Sequence, residues 1–394
     1  MGEDGDQVMV GPLTLAGAAL NTRRGQHRQA VATIGTAMRL RRLATIVVLP
    51  VTAFLIALAI RAAEQTDSNA LFTTVADIPL GPAISRFDYQ SIDPTTDRLF
   101  VAEMGAGKLL VFDLHGEKVS AELDGFPKVT GVLTVPALHK VYASVPGSGI
   151  GAALSVGLGM AGLSSGSGKL AILDSVSLKE IARLPAGVFP DGIAYDPDDR
   201  KVFVSDELGS AVIAVDATAD KVIARIDTGG QVGNVQYDPV TKRVFAPIQS
   251  RNELAVIDPK LNRLIERRPL LGAQHPHGLR IAEGVAIGYV ACDENDRLLV
   301  VDLRDGRVLR SEAIAHDPDV LAADPDLKRL YVAAESGTLS TFDTADPASP
   351  KKLADVFIAN DAHSVAADPE THRLFLPLRD LGGRATLRIL QPRS

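Results

Sequence analysis

The sequence predicts an all-β fold, a seven-bladed β-propeller of four-stranded antiparallel blades, and three observations carry that prediction. The first is a hairpin unit, Phe189-Pro-Asp-Gly-Ile-Ala-Tyr-Asp-Pro-Asp-Asp-Arg-Lys-Val-Phe-Val-Ser-Asp206. Its two short apolar runs, Ile193 to Tyr195 and Lys201 to Val204, are joined by the polar turn Asp196-Pro-Asp-Asp, chemistry that presets a tight reversal. The second is recurrence: the aromatic of the second run returns as Phe100, Tyr142, Phe203, Phe245, Tyr289, Tyr331 and Phe375, so that neighbouring positions differ by 42, 61, 42, 44, 42 and 44. The third is that each aromatic is followed by a third strand, such as Ala211-Val-Ile-Ala-Val-Asp216, and in most copies by a fourth, such as Lys221-Val-Ile-Ala-Arg-Ile226. Four strands in roughly 42 residues is the period of a propeller blade.

Residues 1–37 carry no sustained periodicity and are rich in Gly, Ala, Thr and Gln, the composition of a disordered leader. Met38 is an alternative start, which would make that leader a start-site artefact. Residues 38–63 read as a signal peptide or a signal anchor: Met38-Arg-Leu-Arg-Arg42 precedes the uncharged apolar run Leu43 to Ile60, and Ala57-Leu-Ala59 has a small-x-small cleavage pattern. A positive flank ahead of the run places the propeller on the outer, periplasmic or extracytoplasmic side of the membrane. Residues 64–70 form a linker, and 71–394 the propeller. Leu71 to Ile78 is strand-like but has no blade of its own, while the seventh copy ends after its third strand, Ala385 to Leu390. Those two facts predict that the N-terminal strand supplies the missing outer strand of the last blade and removes an exposed sheet edge.

Seven residues before each aromatic stands the turn position: Asp93, Val135, Asp196, Asp238, Ala282, Asp324 and Asp368, with Pro next in the five Asp copies. The long spacing marks a Gly-rich insertion at 146–168, between the second and third strands of blade 2, readable as flexible decoration or as a lid over the channel. A propeller grows by radial repetition, so 394 residues fit one such domain behind its leader. A net charge of -7 argues against a nucleic-acid partner. The single Cys292 excludes an intramolecular disulfide and reads as a buried small hydrophobe. A monomer is expected, touching the membrane only through its N-terminal segment.

The unit Pro190-Asp-Gly-Ile-Ala-Tyr-Asp-Pro, with Val-Phe-Val-Ser-Asp206 and the strands after it, resembles the YVTN repeat of YncE-like seven-bladed propellers over about residues 71 to 390. Where that repeat has Val-Thr-Asn this chain reads Val204-Ser-Asp206, Val101-Ala-Glu103 and Val332-Ala-Ala334. The resemblance implies the fold and leaves function open, since the scaffold carries both binding proteins and enzymes. The wider neighbourhood of lactonases of the gluconolactonase type and lyases of the virginiamycin B type implies a divalent cation at the channel mouth, although none of their motifs matches at full length.

In a propeller the first strand of each blade lines the central channel. Five residues before the turn position lie Asp88, Thr130, Asp191, Gly233, His277, Asp319 and His363. Five of these seven are carboxylates or imidazoles, at the start of otherwise apolar strands. The blade-leading loops add Asn234, His275, His316, Asp317 and Asp361; the loops between second and third strands add Glu103, Asp206, Glu207, Gln249, Asp293, Glu335 and Arg379. Imidazole with carboxylate suits Zn, Mn or Fe, and oxygens alone suit Ca, so His277, Asp319, His363 and Asp88 are the metal candidates. The other reading is a hydrogen-bonded polar collar around a water-filled mouth. Two functions are compatible with this: an exported binding or scaffold protein of the cell envelope, taking a small molecule or an envelope protein or peptide at a polar channel mouth, or a metal-dependent hydrolase or lyase acting on lactones or esters. No Gly-x-Ser-x-Gly elbow is present to support nucleophilic catalysis.

Overall fold

The computed structural model describes residues 71–84, 86–147, 157 and 166–393. The leader, the apolar segment, the linker and the body of the Gly-rich insertion lie outside them. Among the described residues there are 28 strands, β1 to β28 in chain order, in seven four-stranded antiparallel sheets. The blades are β2–β5 (Gln90 to Asp124), β6–β9 (Val132 to Gly187), β10–β13 (Pro190 to Asp227), β14–β17 (Gln236 to Pro269), β18–β21 (Pro276 to Ala313) and β22–β25 (Pro318 to Phe357). The seventh joins β26–β28 (Ala366 to Pro392) to β1 (Phe72–Pro82), which pairs outside β28 with Phe72 opposite Pro392 and Pro82 opposite Arg384. The closure expected from the sequence is therefore present, and β1 runs four residues beyond Ile78. No described helix is long and apolar enough to cross a membrane.

The repeated residues explain the repeated geometry. All seven aromatics are buried. Each of the five turn aspartates is buried too, and its carboxylate accepts a backbone N–H two or three residues on: Asp93 from Thr95 at 3.0 Å, Asp196 from Asp198 at 2.9 Å, Asp324 from Leu327 at 3.0 Å. This Asx turn is what the Asp-Pro pair encodes. The first strand of each blade neighbours the first strand of the next around the whole ring. One apolar cluster fills each of the seven blade-to-blade interfaces; the cluster joining Phe100 and Val111 to Val141 and Leu173 lies between blades 1 and 2, and that joining Phe87 and Val101 to Phe375 and Leu387 closes blade 7 on blade 1.

Close approach of the inner strands demands glycine. A Cβ on Gly131 would fall 2.0 Å from the carbonyl oxygen of Asp191, and one on Gly278 2.5 Å from that of Asp319. These contacts set the mouth residues of one blade directly against the next. Cys292 is the last residue of β19 (Ile287–Cys292), not a loop residue, and is buried in the cluster between blades 4 and 5. Burial pushes its thiol up to about 12, so it stays a neutral hydrophobe.

Candidate functional site

The mouth of the channel is a cavity of about 420 Å³. Its walls carry seven carboxylates, Asp88, Asp191, Glu207, Asp293, Asp317, Asp319 and Glu335, against one guanidinium, Arg86, and two imidazoles, His275 and His277. Tyr89, Thr130, Gln249, Met104, Phe189 and Pro318 complete the lining. Local backbone chemistry delivers these groups. His275 and Asp317, each two residues ahead of a mouth residue, adopt left-handed backbone, φ 53° and 58°, a conformation that His and Asp tolerate better than most. The loops there turn the chain sharply before the inner strand begins.

Arg86 organises one side of the mouth. Its Nη1 donates to Glu335 Oε1 at 2.5 Å and its Nη2 to Asp319 Oδ2 at 3.1 Å, while Nε stands 3.9 Å from Asp88 Oδ2. His277 approaches the other oxygen of Asp319, Nε2 to Oδ1 at 3.4 Å, and its Nδ1 lies 2.9 Å from the Gln249 amide. Burial alone would strip the His277 proton, but the hydrogen bond and charge of Asp319, with Glu207 and Asp191, overcome it and raise the imidazole to about 10. A charged imidazole has hydrogen on both nitrogens. A flip of the Gln249 amide, whose oxygen is otherwise buried without a partner, would set that oxygen to accept from Nδ1.

The carboxylates divide into two kinds. Burial pushes Asp319 up, yet His277, His363 and Arg86 prevail and hold it below the usual carboxylate range, so it keeps its charge. For Asp191, on β10 and 4 % exposed, burial and then the charge of Glu207 outweigh the attraction of His277 and raise it to about 7. Asp88 is likewise raised, first by burial and then by Asp191 and Asp319, against the opposing pull of Arg86. Both acids are thus biased toward their neutral forms in a mouth already rich in negative charge. Tyr89 adds an orphan group, a buried hydroxyl with no hydrogen-bond partner.

The structure brings Asp88, Thr130, Asp191, Glu207, Gln249, His275, His277, Asp293, Asp317, Asp319 and Glu335 together at this cavity and leaves Glu103, Asp206, Asn234, His316, Asp361, His363 and Arg379 outside it. His363 is 3 % exposed and fastens the ring: Nε2 lies 3.0 Å from the Phe87 carbonyl of blade 1 and Nδ1 3.0 Å from the Asp361 carbonyl. Asp206 is fully buried and accepts the N–H groups of Val188 and Phe189 at 2.7 and 2.9 Å, which holds the loop ahead of blade 3. Glu103 is buried and raised to about 7 by burial and then by Glu122, away from the mouth. Arg379 pairs with Asp361, His316 is exposed beside Asp296 at 3.1 Å, and Asn234 lies deeper in the channel. Thr130 reaches the mouth but spends its hydroxyl on the Pro190 carbonyl at 2.8 Å. Sequence reasoning missed Arg86, Tyr89, Met104, Phe189 and Pro318 as lining residues. Tyr89 directly follows Asp88 and Arg86 stands two residues ahead of it, so reading two positions either side of the mouth residues would have found both.

A divalent cation fits this arrangement poorly. Asp319, Glu335 and His363 offer ligand atoms within 4.8 Å of one another. Yet the Arg86 guanidinium already takes one oxygen of each carboxylate, and both His363 nitrogens lie 3.0 Å from backbone carbonyls, which compete with an ion for them. Of the four residues the sequence offered, only Asp319 and His363 belong to this group.

No family model and no curated protein matches the chain. Solved structures do. The chain is similar to the Kuenenia stuttgartiensis Hydrazine Synthase, at 16 % identity and TM-score 0.62, over 79 % of this chain and 96 % of that one. It is similar to a chain of the Mitotic Checkpoint Complex, at 11 % identity and TM-score 0.65, over 82 % and 92 %. It is also similar to the RRP9 WD40 repeats, at 8 % identity and TM-score 0.65, over 82 % of this chain and all, 100 %, of that one. At such identities the likeness is one of fold: the chain shares the β-propeller architecture of these proteins.

Proposed function

We propose that this chain is a ligand-binding propeller of the YncE-like kind whose channel mouth captures a small cationic solute, such as an organic ammonium ion. The observation that carries the reading is the convergence of seven carboxylates on one cavity against Arg86 and two imidazoles. An incoming cation draws the protons off Asp191 and Asp88, because a positive charge nearby favours their ionised forms. The unpartnered Tyr89 hydroxyl and the Gln249 amide supply neutral hydrogen-bonding groups beside that charge. Export supports a solute-facing role: Arg39, Arg41 and Arg42 precede the apolar run Leu43 to Ile60, which reads as a signal peptide or anchor for a monomer outside the cytoplasm.

Calorimetric titration of the full chain with 1,4-diaminobutane and with calcium, in two buffers of different ionisation heat, tests this. Saturable binding whose heat depends on the buffer, and which falls at least tenfold in Asp88→Asn, Asp191→Asn, is the expected result. Binding that ignores both aspartates, or no binding of either probe, refutes the reading. The alternative, a metal-dependent hydrolase or lyase, rests on Asp319, Glu335 and His363. Stoichiometric zinc or manganese in the purified protein, lost in Glu335→Gln, would favour it instead.

A further inference from the structure

Below the mouth the channel holds a second chamber, of about 260 Å³, into which Arg280 projects from β18 (Pro276–Ile281), three residues beyond His277. Its guanidinium makes no hydrogen bond or ion pair among the described residues, and its Nε is buried without a partner. Only Glu283, an exposed residue of the following turn, exerts a compensating attraction on it. At the same register in the other blades only Ser91 and Gln236 are polar, the remaining positions being Leu or Ala. Nothing in the walls neutralises the charge.

We infer that this inner chamber is an anion site in which Arg280, with the side-chain amides of Asn234 and Gln236, binds a small oxyanion. A half-buried guanidinium whose Nε is shut off from solvent without a partner is costly to keep unless a carboxylate or phosphate-type group meets its planar fork of donors. Asn234 and Gln236 line the same chamber and, like Arg280, make no side-chain hydrogen bond to any described residue, so their N–H donors are available to the same ligand. The chamber is bounded by the turn prolines Pro94 and Pro369, at the end of the channel opposite the mouth. An anion entering there avoids the carboxylates above. Tyr89 lines both chambers and divides the acidic mouth from the cationic interior. The site is independent of the mouth ligand and stands whether or not that ligand is a cation.

The test is calorimetric titration of the full chain at pH 7 with sodium acetate and, separately, with sodium phosphate, for the parent, Arg280→Met and Gln236→Leu. One saturable site in the parent, weakened at least tenfold in Arg280→Met and several-fold in Gln236→Leu, is expected. Acetate alone identifies a carboxylate site and phosphate alone a phosphate site, and either supports the proposal. Arg280→Met should also melt at least as high as the parent in anion-free buffer, because it removes an uncompensated charge. Should that variant fail to fold, Gln236→Leu alone decides the matter. No saturable binding of either anion in the parent, or binding that is unchanged in the variants, overturns it.

Discussion

Replacing Asp191 with Asn removes the proton-storing carboxyl of the mouth and leaves its shape almost unchanged. In the folded chain that carboxyl holds its proton to about pH 7, against an ordinary value of 3.8, because it is buried and faces Glu207. An acid raised by folding contributes stability that is fully present below 3.8 and is lost as pH rises through 7. Each pH unit of that difference is worth about 1.4 kcal/mol, so the carboxyl group costs the fold up to about 4 kcal/mol at pH 8, where it is ionised, and about 1.5 kcal/mol at pH 5, where folding must take up its proton. Asn carries no such charge. Asp191→Asn should therefore stabilise the propeller at both pH values, by about 2.5 kcal/mol more at pH 8 than at pH 5. Urea unfolding followed by far-ultraviolet circular dichroism at the two pH values measures this directly, the chain having no tryptophan. Equal gains at pH 5 and 8, or a loss at pH 8, would refute the account of a carboxyl held neutral by burial.

The same geometry sets three further expectations. The His277 imidazole should remain charged well above neutrality and titrate near 10; the stability it contributes is complete below 6.5 and is lost as pH rises through 10, and a proton-resonance midpoint near 6.5 would contradict its ion pair with Asp319. Gly131→Ala forces a methyl group into the Asp191 carbonyl of the next blade and should cost about 3 kcal/mol in chemical denaturation; a loss below about 0.5 kcal/mol would mean that blades 2 and 3 part easily. Asp206→Ala strands two buried N–H groups, at Val188 and Phe189, and should destabilise by about 2–4 kcal/mol while cation titration at the mouth is unchanged in the folded fraction. A selective loss of ligand binding there, with stability intact, would return Asp206 to the site.

How much of this was legible in the sequence depends on whether the relevant partner was local. The aromatic at Phe203 and the turn at Asp196 report their own surroundings, because a strand alternates with period 2 and an Asx turn binds its own next residues. Hence the blades, and even the borrowed β1, could be read in advance. His363 could not. It stands at the same register as His277, but its two nitrogens lie against carbonyls, one of them from Phe87 at the other end of the chain, with Nδ1 also 3.5 Å from Glu335 Oε2. Backbone acceptors carry no signature in side-chain types, so an imidazole that fastens two blades looks identical to one that faces a ligand. Arg86 escaped for the converse reason: it sits two residues ahead of the counted position, on the loop between blades, and only the folded ring sets it against Asp319 and Glu335.

The pairing of β1 with β28 has a kinetic side. Phe72 meets Pro392 across 320 residues of chain, so the contact that closes the circle is the most distant in sequence and the last that synthesis makes possible. Loop-closure entropy rises slowly with length, but pairings of such separation slow folding. Until the ribosome has released the final strand, six blades can stack only as an open arc with an unpaired rim at each end, the species most exposed to intermolecular strand addition. Moving residues 71–82 to a position after Pro392, through a short linker, would turn that distant encounter into a hairpin, and a permuted chain of this kind should refold faster than the parent while presenting the same two chambers.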